Sequence, residues 1–281
     1  MDNINFYKGR RYSIAPLCPC GKDNKDGKFI PLLINGTPSP IYGFCYSCGK
    51  HFNPEGKSNY LYQKSINKKI KIEHKSVPYS EVKKTMSEYD KNNFIIWLKS
   101  IFPDDYINAI KRYRIGTSLN YRTLFWYISI KEEVRTGKSI SYDAYTGKRD
   151  KKIPIYSLYT KENGYSICLF GEHLLKDDYH KTIFIVESEK TAIVGSLLFP
   201  KYTWLATGGA NGLTVNKATV LESRKVIYIP DCDEAGRNSI SRISSILKIV
   251  NARHLIMDYF IKNFNDGEDI VDLLFINNKL I

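Results

Sequence analysis

The chain has 281 residues, 43% hydrophobic and 25% charged, a composition that suits a globular protein with a sizeable core and more than one domain. It contains no run of about 18 apolar residues, which excludes a transmembrane helix, and its opening, MDNINFYKGRRYS, lacks the apolar stretch of a secretory signal, so a cytoplasmic protein with no membrane partner is expected. Forty-two Lys and Arg against 29 Asp and Glu leave a formal charge of +13, a surface suited to polyanions and to nucleic acid first, although a Lys- and Asn-rich composition bias produces the same excess.

Residues 1–60 read as a zinc ribbon. Four of the six cysteines fall here, in CPC (Cys18, Cys20) and CYSC (Cys45, Cys48), two close pairs separated by 24 residues. Each pair can supply one knuckle of a tetrahedral zinc site. Gly21 and Gly49 follow the pairs, as knuckle turns require, and Phe44 and Phe52 offer a small core to a module too short to be stable without metal. The first pair is C-x-C where C-x2-C is the commoner knuckle, and His51 is the alternative fourth ligand. A closed structural zinc carries no chemistry, and a cytosolic setting argues against disulfides. Cys168 and Cys232 stand alone and read as packed small hydrophobes.

Residues 61–85 read as a basic linker. KSINKKIKIEHKSVPYS (64–80) carries five lysines, no glycine and a proline near its end. Like charges repel, so an extended connector is expected.

Residues 86–180 read as a mixed α+β subdomain. Phe94, Ile95, Leu98, Ile101 and Phe102 recur at helical spacing; Pro103 breaks that helix, and a second follows with Ile107, Ile110 and Tyr113. From 123 to 170 the pattern becomes β-like: TLFWYISI, GKSISYDAY, IPIYSLY and YSICLF, divided by turns such as Thr146-Gly147 and Asn163-Gly164.

In residues 181–281 strands and helices alternate. TIFIVES leads to a helix from about Glu189, YTWLAT to a Gly-rich turn, KVIYIPD to a long helix from about Glu234, and ARHLIMDY follows. Near-continuous apolar strands alternating with helices predict a mainly parallel sheet covered on both faces, an α/β fold.

Sites in such sheets form outside the carboxyl ends of the strands. Glu187 ends the first strand, Asp231 the third, and Asp233 lies two residues on, on the same side of an extended chain. Carboxylates gathered at one edge repel unless a cation neutralises them, and oxygen-only ligands suit Mg²⁺ or Mn²⁺. Asp269 and Asp272, in NDGEDIVDLL, add carboxylates after the fourth strand. Each residue also has a plainer explanation. Asp233 can simply cap the helix that begins at Glu234, and the glycines of ATGGANGL can mark no more than a turn.

IFIVESEKTAIVGSL, WLATGGANGL, VIYIPDCDEAGRNS and EDIVDLL together resemble a Toprim domain, the catalytic fold of bacterial-type DNA primases, topoisomerases and some nucleases. That pattern places an acidic residue after strand one and Asp-x-Asp after strand three, matched here by Glu187, Asp231 and Asp233, and DEAGR resembles the primase version. YRIGTS, TLFWYISIKEEVRTGKSISYD and CLFGEHLL resemble the segment before the Toprim fold in primases, and the cysteine module resembles the primase zinc ribbon that engages template. The likeness runs over roughly residues 12 to 275. Two departures stand out: primase ribbons usually open with Cys-x2-His, and the GFGGR-like stretch reads RTGKSISYD, keeping Arg135, Gly137 and Lys138.

The resemblance implies a primase-like nucleotidyltransferase that makes short primers on single-stranded DNA from nucleoside triphosphates, in the manner of short phage, plasmid or integrated-element proteins, with any replicative helicase a separate partner. Glu187, Asp231, Asp233 and Lys190 are the candidate catalytic residues, with Glu187, Asp231, Asp233 and Asp269 holding magnesium or manganese. Arg112, Arg114, Arg122, Arg135, Lys138, Gly208, Gly209 and Arg237 are candidates for the nucleic-acid track. Tyr113, Tyr121 and Trp126 lie among them and either stack on bases or pack in the core. A Toprim nuclease, or a zinc-ribbon DNA-binding protein without catalysis, are the alternatives.

Overall fold

The computed structural model describes residues 5–34, 36–52 and 75–257. The chain divides into two compact units, Met1–Ile72 and Glu73–Ile281. Residues 61–74 of the expected linker, and Asp269 and Asp272, lie outside the described residues. No helix among the described residues is long and apolar enough to cross a membrane.

In the first unit, β1 (Asn5–Phe6), β2 (Phe29–Ile34), β3 (Thr37–Cys45) and β4 (His51–Phe52) form one antiparallel sheet in chain order. A single-turn helix, α1 (Arg11–Ile14), precedes the first cysteine pair. The core is small: Ala15, Cys18, Phe29 and Cys45, with Cys20, Cys48 and Phe52 against it. Phe29 is its central aromatic, and Phe44 is not part of it. Successive side chains on a strand point to opposite faces, so Phe44, between inward Gly43 and Cys45, stands on the other side and packs on Tyr46 and His51.

In the second unit, part of the stretch expected to be linker is folded. Val77 bridges to Val134, and α2 (Tyr79–Thr85) buries Val82 in a cluster with Leu124, Trp126 and Ile128. Asn92 then starts α3 (Asn93–Ile101): fully buried, it accepts from the Ile95 N–H at 3.5 Å and the Thr123 hydroxyl at 2.8 Å, and it donates to Thr117 Oγ1 at 3.2 Å. The helix buries Phe94, Ile95, Trp97 and Leu98, the one-sided stripe its spacing predicts. Pro103 follows its end, and α4 (Tyr106–Tyr113) buries Ala109, Ile110 and Tyr113.

An antiparallel sheet follows, β5 (Gly116–Thr117), β6 (Thr123–Ile128), β7 (Val134–Ile140) and β8 (Tyr156–Ser157), paired in that order. Every residue of β6 is buried, because Phe125 and Tyr127 face one cluster while Leu124, Trp126 and Ile128 face another. The run YSICLF forms no strand; its two ends make isolated bridges, Tyr165 with Lys75 and Phe170 with Ala206, the latter through N–H···O bonds of 2.9 and 3.1 Å.

The last sheet comprises β9 (Ile183–Val186), β10 (Thr203–Ala206), β11 (Lys225–Tyr228) and β12 (Arg253–Ile256), all parallel, in the order β10-β9-β11-β12. Phe184, Val186, Trp204 and Ala206 pack with Ala192, Ile193 and Val194 of α5 (Glu189–Leu198). On the opposite face Ile183, Ile185, Leu205, Val226 and Tyr228 pack with Ile243, Ile246 and Leu247 of α7 (Glu234–Ile249). Between β10 and β11 lies α6 (Val215–Ala218). Burial on both faces explains the unbroken apolar strands. The first of these clusters also takes in Phe94, Ile110, Phe125 and Phe170, so the two sheets of this unit share a core.

His173 gives this core a pH signature. It is 4% exposed, and its Nε2 lies 3.0 Å from the Arg112 carbonyl while Nδ1 is buried without a partner. Burial, reinforced by the Arg114 and Arg112 charges and opposed by the Arg112 carbonyl and Glu132, lowers its pKa from 6.5 to about 4. The unfolded chain therefore takes up this proton first. Stability is unaffected above about pH 6.5 and falls as pH drops towards 4, by roughly 3 kcal/mol. His173→Gln keeps an N–H for the Arg112 carbonyl and does not titrate. Urea unfolding between pH 7 and 4 is expected to show a flatter loss in that variant, and equal slopes would refute the assignment.

Candidate functional site

The sulfur site is the most compact. The Sγ atoms of Cys18, Cys20, Cys45 and Cys48 lie within 4.8 Å of one another, the only group of three or more metal-ligand atoms so placed among the described residues. A tetrahedron with Zn–S bonds of about 2.3 Å has edges of about 3.8 Å, so these sulfurs stand close to coordinating positions. Each knuckle closes with a backbone bond, Gly21 N–H to Cys18 O and Gly49 N–H to Cys45 O, both 2.8 Å, and both glycines adopt positive φ, +88° and +68°. Burial raises the Cys18 and Cys48 thiols; burial would raise Cys20 too, but hydrogen bonds with Cys18, the Lys22 N–H, Cys48 and Cys45 bring it down to about 7. A bound Zn²⁺ would deprotonate all four thiols. His51 lies outside this group; its ring packs on Phe44, with centroids 4.5 Å apart.

The acidic site forms where the sheet order reverses. β9 leads through α5 to β10 on one side, while β11 lies on the other, so the space beyond the carboxyl ends of β9 and β11 is a switch point. Glu187 directly follows β9 and is 4% exposed. Its Oε1 accepts from the Tyr228 hydroxyl at 3.0 Å and the Asp231 N–H at 3.4 Å. Tyr228 also contacts Ser239 Oγ at 2.8 Å, which bonds to the Gly236 carbonyl at 2.7 Å, so the first turns of α7 support the carboxyl through a buried chain of hydroxyls. Burial raises the Glu187 pKa; the Tyr228 and Asp231 hydrogen bonds oppose the rise, the Asp233 charge adds to it, and Arg242 offsets it.

Asp231 and Asp233 are both half-buried, with Cys232 buried between them. Asp233 caps α7, its Oδ1 accepting from the Gly236 N–H at 2.7 Å. The plainer role is therefore met in the structure, and one carboxylate oxygen satisfies it. The three carboxylates share one edge but are not drawn together as the cysteines are.

The remaining candidates divide by partner. Lys190 lies over the Trp97 ring at 5.8 Å. Arg112 pairs with Asp178, Arg114 with Glu132 at 2.5 Å, Arg135 with Glu133 at 2.5 Å and Lys138 with Glu189 at 2.7 Å. Arg122 donates to the carbonyls of Ser139 and Pro154 at 2.9 and 2.6 Å. Arg237 is exposed in the first turn of α7. Gly208 and Gly209 begin the turn after β10, and the Gly208 N–H bonds to the Glu187 carbonyl at 3.0 Å, which sets that turn beside the acidic edge. Tyr113 and Trp126 are core residues, while Tyr121 is exposed beneath the Lys91 amine at 5.1 Å.

Sequence reasoning missed several neighbours of the site. Glu189, 2% exposed, accepts from Lys138 and from the Tyr127 hydroxyl. It sits two residues past Glu187, where an acid at a helix start already has an explanation. Arg242 donates to the Ala210 and Leu213 carbonyls, a link across 32 and 29 residues that leaves no local pattern.

Several solved structures are similar to the chain at low identity. The catalytic core of DnaG is 15% identical, with a TM-score of 0.42 over 60% of this chain and 64% of that one. The Aquifex aeolicus primase, with zinc-binding and RNA polymerase domains, is 14% identical, with a TM-score of 0.42 over 97% of this chain and 77% of that one. The RNA polymerase domain of Mycobacterium tuberculosis primase DnaG, in complex with double-stranded DNA, is 14% identical, with a TM-score of 0.47 over 69% and 74%. The chain spans 64% of the DnaG core and 55% of a Pseudomonas aeruginosa DNA primase domain. No curated protein matches. One family profile matches residues 92–232, half of the sequence: the chain belongs to the DUF6371 family, described as a domain of unknown function.

Proposed function

We propose that the protein is a metal-dependent, template-directed nucleotidyltransferase of the Toprim primase kind, making short primers on single-stranded DNA. One observation carries this: Glu187 and the Asp231–Asp233 turn stand at the carboxyl ends of adjacent parallel strands, at the switch point, joined by the Asp231 N–H to Glu187 Oε1 contact of 3.4 Å. The donor set is all oxygen and fits a hard divalent cation. Glu187, Asp231 and Asp233 would hold Mg²⁺ or Mn²⁺, with Asp269 a further ligand. When bound, the ion supplies charge neutralisation at the nucleotide's phosphates.

The chain's own residues supply orientation. Tyr228 and Ser239 fix the Glu187 carboxyl, and α7 fixes Asp233 through its cap. Lys190 is proposed to act near the phosphates, and Arg112, Arg114, Arg122, Arg135 and Arg237 to lie along the strand, in exchange with their internal partners. The proposed setting is replication of a phage, plasmid or integrated element, with a replicative helicase as the proposed partner.

The test is primer synthesis. Single-stranded DNA, labelled nucleotides and Mg²⁺ or Mn²⁺ are supplied to the native protein and to Asp231→Ala/Asp233→Ala. Short labelled products from the native protein alone are expected. DNA cleavage without nucleotides would replace this reading with a nuclease, and tight binding without turnover would replace it with a non-catalytic DNA-binding protein.

A further inference from the structure

The turn after β10 has an unusual distribution of donors and acceptors. Its carbonyls are claimed by cationic and hydroxyl groups from the surrounding protein. Lys138 Nζ reaches the Gly208 carbonyl at 3.3 Å, the Thr207 hydroxyl reaches Gly209 O at 2.8 Å, and Lys217 Nζ reaches Gly212 O at 2.7 Å. Arg242 takes the carbonyls of both Ala210 and Leu213. The amides are treated differently. Gly208 and Gly212 donate within the protein, but the N–H groups of Gly209, Ala210 and Asn211 meet no acceptor among the described residues.

Glycine makes this shape possible. A Cβ on Gly212 would stand 2.0 Å from the Thr207 carbonyl, so only glycine lets the chain fold back there. Gly209 has φ +134°, and a Cβ on it would meet nothing within 4 Å, so its side of the turn is open.

Lys217 is the second observation. It is half-buried on α6, its amine bonds only to Gly212 O, and no carboxylate lies within salt-bridge distance among the described residues. Two of its three N–H donors are unspent. Lys138 carries one further N–H beyond those given to Glu189 and Gly208. A sheltered ammonium with no carboxylate in direct contact is costly. Burial lowers the Lys217 pKa and the Lys138 charge adds to the fall, while Cys168, Glu172 and Glu189 oppose it without any carboxylate among the described residues coming within salt-bridge distance.

We propose that Lys217, Lys138 and the N–H groups of Gly209, Ala210 and Asn211 form a phosphate-binding subsite at the carboxyl end of β10, beside the acidic edge. The pattern suits phosphate, whose several oxygens accept from backbone amides and ammonium groups together. Identifying the occupant as the polyphosphate of an incoming nucleotide rests on the proposed function; the anion site itself does not. In that arrangement the turn holds phosphate oxygens from one side while Glu187, Asp231 and Asp233 face them across the ends of β9 and β11.

The experiment uses the full chain with inorganic tripolyphosphate, without added divalent cation, read by isothermal titration calorimetry. Native protein is expected to bind, Lys217→Gln to bind at least tenfold more weakly, Lys217→Arg to recover most of the loss, and Asp233→Asn to bind as tightly or more tightly. Absent binding by native protein, or equal affinity in Lys217→Gln, overturns the subsite. Acylation of amines in the native chain, mapped by peptide mass spectrometry, gives a test without substitution: tripolyphosphate is expected to protect Lys217, and unchanged labelling overturns the proposal. The outcomes separate from those of primer synthesis. Lys217-dependent binding without primer synthesis leaves the subsite and removes the enzymatic reading; primer synthesis without Lys217-dependent binding does the reverse.

Discussion

Stripping zinc is expected to unfold residues 5–52 while leaving residues 75–257 folded. The first unit buries few side chains, with Ala15, Cys18, Phe29 and Cys45 at its centre and two of those four being cysteines. Its sheet includes two strands of two residues each, which add little pairing. A module of this size lacks the apolar burial to offset the entropy of ordering its chain. Structural zinc contributes on the order of 10 kcal/mol of apparent binding free energy at pH 7, which here is folding free energy. Metal analysis is expected to find one zinc per chain. Chelation, followed by amide NMR, is expected to collapse the dispersed signals of the first unit while those of the second persist. Cys45→Ser should act as the chelator does, because Cys45 is 1% exposed and has no solvent to compensate for the lost ligand. His51→Ala should keep its zinc, since the four sulfurs close the site without it. A metal-free first unit that stays folded would disprove the assignment.

Asp233→Asn is expected to lower metal-dependent turnover by on the order of 10²–10³-fold with stability nearly unchanged. The two roles of this residue separate because they use different properties. The cap needs one side-chain oxygen for the Gly236 N–H, which Asn supplies about as well as Asp. The metal role needs charge, which Asn lacks. Asp233→Ala removes both and should also cost about 1 kcal/mol of stability. On the proposed function, affinity for single-stranded DNA should be largely spared in both variants, since its phosphate contacts would come from Lys and Arg elsewhere. Thermal unfolding, strand binding and primer synthesis on the three proteins decide the matter. Full activity in Asp233→Asn would reduce Asp233 to a helix cap.

The Asp233 comparison also shows why a single acidic residue in a sequence is ambiguous. Capping and metal binding favour the same residue type at the same place, because a helix N-terminus attracts negative charge and a strand end opens onto the site. The structure supplies the residues that support Glu187. Tyr228 reaches Glu187 across 41 residues and Ser239 reaches Tyr228 across 11, so the support for the carboxyl belongs to the packing of β9, β11 and α7 together.

The basic residues carry a similar lesson. Composition alone predicts an attraction to polyanions, and residue type alone selects Arg112, Arg114, Arg135 and Lys138 as contacts. In the fold each of these is bound to a carboxylate, Asp178, Glu132, Glu133 and Glu189 respectively. An exposed pair contributes little to stability and exchanges readily, whereas the Lys138–Glu189 pair is sheltered, with side chains 16% and 2% exposed. A net charge of +13 is therefore a property of the whole surface and does not identify the cations that meet a ligand. Lys217, half-buried with no carboxylate within salt-bridge distance among the described residues, sits in a four-residue helix that no periodicity distinguishes.

What the sequence by itself determined is what short-range chemistry controls. Cysteine pairs each followed by a glycine specify two knuckles, continuous apolar strands alternating with helices specify a parallel sheet, and Pro103 divides α3 from α4. These signals lie within a few residues, where backbone sterics and turn preferences act. Tertiary structure decided the rest. It set the strand order β10-β9-β11-β12, which places Glu187 beside the Asp231–Asp233 turn, and it folded residues 75–85 onto Leu124 and Trp126 although their neighbourhood is basic. It matched Arg112, Arg114 and Lys138 to carboxylates 18 to 66 residues away and turned the carbonyls of one Gly-rich loop inward. Those outcomes depend on which surfaces meet when apolar area is buried, and no spacing along the chain records that.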